Sequence, residues 1–115
     1  MKETCIFCRI AAGEIPARIA YENDAIFAFH DVDPRAPVHV LLIPRKHIAS
    51  VNDLTAGDGD LVGKLFVAAK DLAHELGVST SGYRLVMNCG EDAGQSVNHI
   101  HLHLLGGRSM KWPPG

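Results

Sequence analysis

His99-Ile100-His101-Leu102-His103-Leu104-Leu105 alternates imidazole with aliphatic side chains. Successive side chains of a β-strand point to opposite faces, so the pattern predicts a strand over His99 to Leu105. Three histidines then share one face, opposite Ile100, Leu102 and Leu104. Half of such a strand belongs to a core and half to chemistry. A lone histidine on a half-exposed strand is most often part of a solvated face. Three in strict alternation are poorly explained that way.

Upstream of this strand, Tyr83 to Asn88 reads as another, and the polar, glycine-containing connection Cys89 to Asn98 joins the two. Before them Leu61, Leu65, Ala68, Leu72 and Leu76 recur at helical spacing over Asp60 to Leu76, with Gly77 as the stop. Val38 to Pro44 is apolar and β-branched enough for a central strand. Ile19 to Glu22 and Ile26 to His30 read as a hairpin about Asn23-Asp24, side chains that tolerate left-handed backbone. Ile6 to Ala12 reads as a short helix stopped at Gly13. Strands on both sides of one long helix, with hairpin connections, predict an α+β domain with a mainly antiparallel sheet, one long helix and a short N-terminal helix.

With 115 residues and 12.4 kDa, the chain is read as one domain, residues 1–115, ending in a tail over residues 106–115. A net charge of -2 and a pI near 6.4 give no broad basic surface for a nucleic-acid backbone. No apolar stretch suits a membrane span, and Met1-Lys2-Glu3-Thr4 does not begin a secretory signal. Cys5, Cys8 and Cys89 are too few and oddly counted for a disulfide framework, which favours a reducing cytoplasmic setting.

Two chemistries compete for the histidine row. Imidazole binds zinc, copper and iron, and alternate strand positions can chelate an ion. At roughly 3.3 Å per residue, however, His99 and His103 lie about 13 Å apart along the strand, whereas zinc ligands sit about 2 Å from the ion. A linear row better suits an extended substrate such as a phosphate ester. Neutral imidazole is abundant at pH 7 and nucleophilic, and attack on phosphorus would give a labile nucleotidyl-histidine. Such a nucleophile needs its second ring nitrogen held as a donor, and the backbone carbonyl of His99 is the expected acceptor. Just upstream, Asp92-Ala93-Gly94-Gln95-Ser96 supplies a glycine for close backbone approach and two hydrogen-bonding side chains. Taken alone, that motif reads equally as a turn.

The row is identical in form to the His-x-His-x-His-x-x signature of the histidine triad (HIT) superfamily. The resemblance runs through Ile6-Phe7, Glu14-Ile15-Pro16-Ala17, Ala28-Phe29-His30-Asp31, Ala36-Pro37, Ile43-Pro44-Arg45-Lys46-His47-Ile48, Gly94-Gln95-Ser96 and the ending Gly106 to Gly115. The ending most resembles the Hint branch, purine nucleotide-binding proteins with adenosine phosphoramidase activity. The resemblance implies a homodimeric HIT-like fold and a purine nucleoside monophosphate ligand, with no organic cofactor. It assigns His101 as nucleophile, His103 as a phosphate contact and Ser96 as the aid to the departing amine, with Asn88, Gln95 and His99 completing the phosphate side. It places Asp31 on the ribose and Ile6, Phe7, Ile10, Phe29, His30 and Val32 around the purine. Trp112 falls in the tail that the family folds toward the active site. By pattern alone, Ile6, Phe7, Ile10 and Phe29 would be ordinary core and Asp31 a turn former. Asn98 stands where relatives often carry an aromatic residue.

Cys5-Ile6-Phe7-Cys8 can be a redox pair, half a zinc site or two buried thiols. The resemblance to bacterial relatives implies a structural zinc held by Cys5, Cys8, His47 and His99. Three functions follow as expectations: a hydrolase of nucleoside phosphoramidates such as AMP-NH2 and AMP-lysine, a non-catalytic nucleotide-binding interaction module, and a metalloenzyme with a triad-bound metal.

Overall fold

The computed structural model describes residues 3–115. Its elements are α1 (Ile6–Ala11), β1 (Ile19–Glu22), β2 (Ile26–His30), β3 (Val38–Pro44), α2 (Gly59–Glu75), β4 (Tyr83–Val86) and β5 (Leu102–Gly106), with two 3-10 turns, Val51–Asp53 and Ala56–Asp58, ahead of α2. The five strands form one sheet in the order β1-β2-β3-β5-β4, every neighbouring pair antiparallel. The expected α+β class, long helix and short N-terminal helix are all present.

Helix α2 buries Leu65, Ala69, Leu72 and Ala73, the i, i+4, i+7, i+8 stripe of an amphipathic helix. The stripe packs on the even-numbered face of the sheet, against Ile26, Ala28, Val40, Leu42, Leu102 and Leu104. Each fully buried leucine there contributes roughly 2 kcal/mol of transfer free energy. At the head of α2, buried Asp58 accepts from Lys46 Nζ (2.7 Å) and from the Thr55 N–H (3.0 Å), closing the turn that starts the helix.

On the opposite face α1 presses Phe7, Cys8 and Ile10 against Phe27, Phe29, Leu41 and Ile43. Strand β3 is therefore covered on both sides, which is why it reads as an unbroken apolar run. Arg45 ties the assembly together: its guanidinium donates to Asn23 O, Ala11 O and Glu22 Oε1, linking the β1–β2 turn to the end of α1. Asn23 makes the hairpin by accepting from the N–H groups of Ala25 and Ile26 at 2.9 and 2.8 Å, without left-handed backbone, since no described non-glycine residue has positive φ.

The histidine strand departs from expectation in its start. Extension from His99 was expected, but ladder pairing begins at Leu102, opposite Leu42. Two positions earlier the partner strand ends at Pro44, which has no N–H to donate. The Ile100 N–H goes instead to Ile48 O (2.8 Å). Alternation survives nonetheless: Ile100, Leu102 and Leu104 enter the α2 core. β4 likewise ends at Val86 rather than Asn88.

Candidate active site

Main-chain groups orient the histidines. His99 is fully buried, and its Nε2–H donates to Pro44 O (2.7 Å), which turns Nδ1 toward Cys5 Sγ at 3.3 Å and Cys8 Sγ at 3.5 Å. His101 Nδ1–H donates to the carbonyl of His99 at 2.8 Å. A carbonyl only accepts, so the Nδ1 proton is fixed and Nε2 is the His101 nitrogen left for chemistry. Phe7 meets the His101 ring edge to face at 5.0 Å between centroids and the His99 ring at 6.0 Å, which holds both in place.

A fourth imidazole joins the row and was not anticipated from the sequence. His39, buried in β3, receives the Arg35 N–H on Nδ1 (3.0 Å), so its proton sits on Nε2. That Nε2–H faces His103 Nδ1 at 2.9 Å, with Asp31 Oδ2 at 3.4 Å. His103 must then carry its own proton on Nε2, an atom that is buried and has no hydrogen-bond partner among the described residues. Burial, aided by His101 and His39, pushes the His103 pKa down to about 4, so the ring is neutral at pH 7. Burial also lowers His39, against the opposing pull of Asp31, and lowers His99. The hydrogen bonds leave His101 Nε2 free to offer a lone pair and His103 Nε2 to offer a proton, on rings 5.0 Å apart between centroids.

These two rings line a cavity of about 330 Å³ between α1 and the sheet. Its walls bring together Ile6, Phe7, Ile10, Phe29, His30, Asp31, Val32 and Ser96 of the residues expected from the sequence, and add Ile15, Pro16, Ala17 and Leu41. Phe7, Ile10 and Phe29 are both core and wall: buried, yet lining the cavity. Val32 is 99% exposed at its mouth. Asp31 accepts the Asp33 N–H on Oδ1 (2.9 Å), keeping the carboxylate at the end of the row beside His39.

Three expected residues are placed elsewhere. Gln95 turns its carboxamide into its own loop, donating to Ala49 O (2.7 Å) and Val97 O (3.1 Å) and accepting from the Gly90 N–H (2.9 Å). With Gly94 at φ +82°, it shapes the loop that presents Ser96. Asn88 does not line the cavity. Trp112 is 83% exposed, in a tail tied to β4 by the bond from Arg84 to Lys111 O (3.0 Å), and does not line the cavity either.

Donor atoms of Cys5, Cys8, His47 and His99 all lie within 4.8 Å of one another. Cys5 caps α1 and accepts from the Cys8 N–H through sulfur, so one helical turn aims both thiols at His99 and His47. The sulfur-to-nitrogen separations of 3.3 to 3.5 Å fit a tetrahedral ion. Arms of about 2.3 Å to sulfur and 2.05 Å to nitrogen give an edge of about 3.6 Å. No group of converging donors among the described residues contains the whole triad. His99 turns to the cysteines while His103 turns to His39, so the triad-bound metal is not supported.

With this geometry in place, comparison with known proteins gives a consistent answer. A HIT domain family model matches residues 12–110. The chain is 44% identical to the purine nucleoside phosphoramidase of Escherichia coli strain K12, over 96% of this chain and 92% of that one. It is 50% identical to an uncharacterized HIT-like protein of Synechocystis sp. over the full length of both. The crystal structure of a HIT family hydrolase from Legionella pneumophila Philadelphia 1 superposes with a TM-score of 0.96 at 54% identity, covering 97% of this chain and 100% of that one. Sequence, fold and the imidazole row agree, and the chain belongs to the HIT domain family.

Proposed function

We propose that the chain hydrolyses purine nucleoside phosphoramidates and related AMP derivatives, with His101 as nucleophile. The observation that carries this reading is the pair of ring nitrogens at the cavity: the Nε2 lone pair of His101 beside the unpartnered Nε2–H of His103. The first seeks an electrophilic phosphorus and the second an acceptor oxygen, and a phosphoryl group offers both. The phosphoramidase relative in Escherichia coli supports the same substrate class.

In the reaction, His101 Nε2 bonds to phosphorus as the P–N bond to the amine breaks. The departing nitrogen takes a proton from water by way of the Ser96 hydroxyl. The nucleotidyl ring, still protonated on Nδ1, is now cationic, and the carbonyl of His99 at 2.8 Å stabilises it. The hydroxide left by that proton transfer then attacks phosphorus, the Nε2–P bond breaks, AMP departs and the lone pair returns to Nε2. Phe7, Ile10 and Phe29, with Ile6, His30 and Val32, form the purine slot, and Asp31 holds the ribose hydroxyls. In this reading Asn88 and Gln95 support the phosphate side through the loop rather than by lining the cavity.

Zinc belongs to the proposal as a structural ion on Cys5, Cys8, His47 and His99. When bound it would cross-link α1 to the segment after β3 and to the base of the histidine row. The homodimer is proposed through the edge strand β4, beside which the tail bearing Trp112 lies. No described helix is long and apolar enough to cross a membrane.

The test is wild type against His101→Asn with AMP-NH2 as substrate. Wild type should turn over and show an AMP adduct on His101 in single-turnover mass spectrometry. The variant should bind AMP within about threefold and lose turnover by at least a thousandfold. Retained turnover in the variant refutes the nucleophile. Wild-type binding of AMP without turnover would instead mark a nucleotide-binding interaction module.

A further inference from the structure

Cys5 and Cys8 present both their sulfurs to one buried ring nitrogen, His99 Nδ1, at 3.3 and 3.5 Å. The two sulfurs lie within 4.8 Å of each other. Cys5 Sγ also accepts the Cys8 N–H at 3.4 Å, which keeps it over the first turn of α1 beside its partner. A disulfide bond is about 2.05 Å long, so the pair has a gap of less than about 3 Å to close, within one helical turn. The two thiols differ in access. Cys5 lines a cavity of about 400 Å³ together with Thr4, Ile6, Ser96 and Asn98, all four of them exposed. Cys8 is 1% exposed and does not line it.

A thiol that coordinates zinc is deprotonated, and the thiolate is the form that attacks a peroxide. We propose that Cys5 and Cys8 form a peroxide-sensitive pair that exchanges the zinc ion for a disulfide, an inference that rests on the four-residue zinc set above. Cys5 Sγ, the accessible sulfur, attacks one oxygen of hydrogen peroxide. The O–O bond breaks, Cys5 becomes a sulfenic acid, and the departing hydroxide takes a proton to leave as water. Cys8 Sγ then attacks Cys5 Sγ: the S–S bond forms, the S–O bond breaks and a second hydroxide leaves as water. In sum, two thiolates, two protons and one hydrogen peroxide give one disulfide and two waters. The thiolates supply the two electrons that reduce the peroxide, and the ion is released.

The exchange changes what the cysteines hold together. With all four donors on one ion, α1 is tied to His47 and His99, far along the chain. The disulfide closes only the segment from Cys5 to Cys8 and leaves both histidines outside it. Cross-links that close long loops stabilise more than those that close short ones. Oxidation therefore loosens the base of the histidine row instead of clamping it. Cys89, partly buried beyond β4 and outside the donor cluster, is the internal reference.

The test treats the zinc-loaded chain with hydrogen peroxide and follows the released ion with a chromogenic chelator. Cleavage after Lys2 and Arg9 gives the peptide Glu3 to Arg9, which carries both cysteines. That peptide should lose two hydrogens in mass, in step with release of one zinc per chain, and at least tenfold faster than Cys89 is oxidised. The melting temperature should fall by about 5 °C or more and recover with dithiothreitol and zinc. Dimedone, which traps sulfenic acids, should label Cys5 in Cys8→Ser at least tenfold faster than it labels Cys8 in Cys5→Ser. Oxidation of Cys89 ahead of the pair, or a disulfide formed while zinc stays bound, overturns the exchange; both are read on the wild-type chain and hold even if neither variant folds. Equal labelling in the two variants overturns Cys5 as the attacking sulfur. A reduced chain that binds no zinc overturns the four-residue set and the exchange with it, whereas bound zinc that survives the peroxide removes the exchange alone.

Discussion

Replacing His39 by phenylalanine keeps a ring of similar size in β3 but deletes both of its nitrogens. Two hydrogen bonds disappear: Arg35 N–H to His39 Nδ1 at 3.0 Å and His39 Nε2–H to His103 Nδ1 at 2.9 Å. Arg35 lies in an exposed turn, so its N–H can bond to water instead. His103 Nδ1 lies against β3 and is left without its donor, a loss of roughly 1 to 3 kcal/mol for a buried polar atom. The functional loss is separate. With nothing to keep Nδ1 as an acceptor, His103 can move its proton there and turn a lone pair, rather than a donor, toward the phosphoryl oxygen. A hydrogen bond to a charged oxygen contributes about 1.5 to 3 kcal/mol, and about 1.4 kcal/mol is tenfold in rate. His39→Phe should therefore lower kcat/KM on AMP-NH2 about ten- to a hundredfold. Steady-state kinetics reads the rate, urea unfolding the stability, and nitrogen chemical shifts of His103 its tautomer. A folded variant with unchanged turnover and an unchanged His103 tautomer refutes the argument.

The buried histidines also predict acid sensitivity. His39, His99 and His103 have folded-state pKa values below the usual 6.5, that of His103 at about 4. The unfolded chain thus binds protons first, and their contribution to stability is complete above about pH 6.5 and falls as the pH drops toward 4. A urea midpoint at pH 5 equal to that at pH 7.5, a range in which ordinary carboxylates barely titrate, refutes this. For zinc, native mass spectrometry should find one ion per chain that is lost in Cys5→Ser, with a lower melting temperature; an ion retained at full stoichiometry counts against the four-residue site. Gly107→Ala combines φ of +89° with a Cβ placed 2.9 Å from Pro37 Cβ. It should destabilise the chain by roughly 2 to 4 kcal/mol in urea melts, and a change below 0.5 kcal/mol would contradict the geometry.

Periodicity carried much of the fold. The stripe of α2 and the alternation after His99 are long enough to report which faces are buried, and the apolar run of β3 reports burial on both. The extent of β5 was not legible, because it depends on Pro44 failing to donate to a strand distant in sequence. His39 was missed for a related reason: one histidine in Val38 to Pro44 reads as an interruption of the core, and only the β3–β5 register brings it to His103. Gln95 beside Ser96 could reach a ligand or its own loop with equal ease, and nothing local decides between them. The positions of Ile6, Phe7 and Phe29 around one cavity came from family resemblance, since by sequence pattern they read as ordinary core, although Ile6 is exposed.

Three peptide groups, the carbonyls of Pro44 and His99 and the amide of Arg35, assign the protons of the row. A peptide group is the same whatever side chain it carries; at position 35 only proline would remove the donor. Reactivity is thereby insulated from mutation in the surrounding walls. The lining of the cavity can drift while the attacking nitrogen keeps its orientation. In such an architecture, selectivity and chemistry can evolve separately.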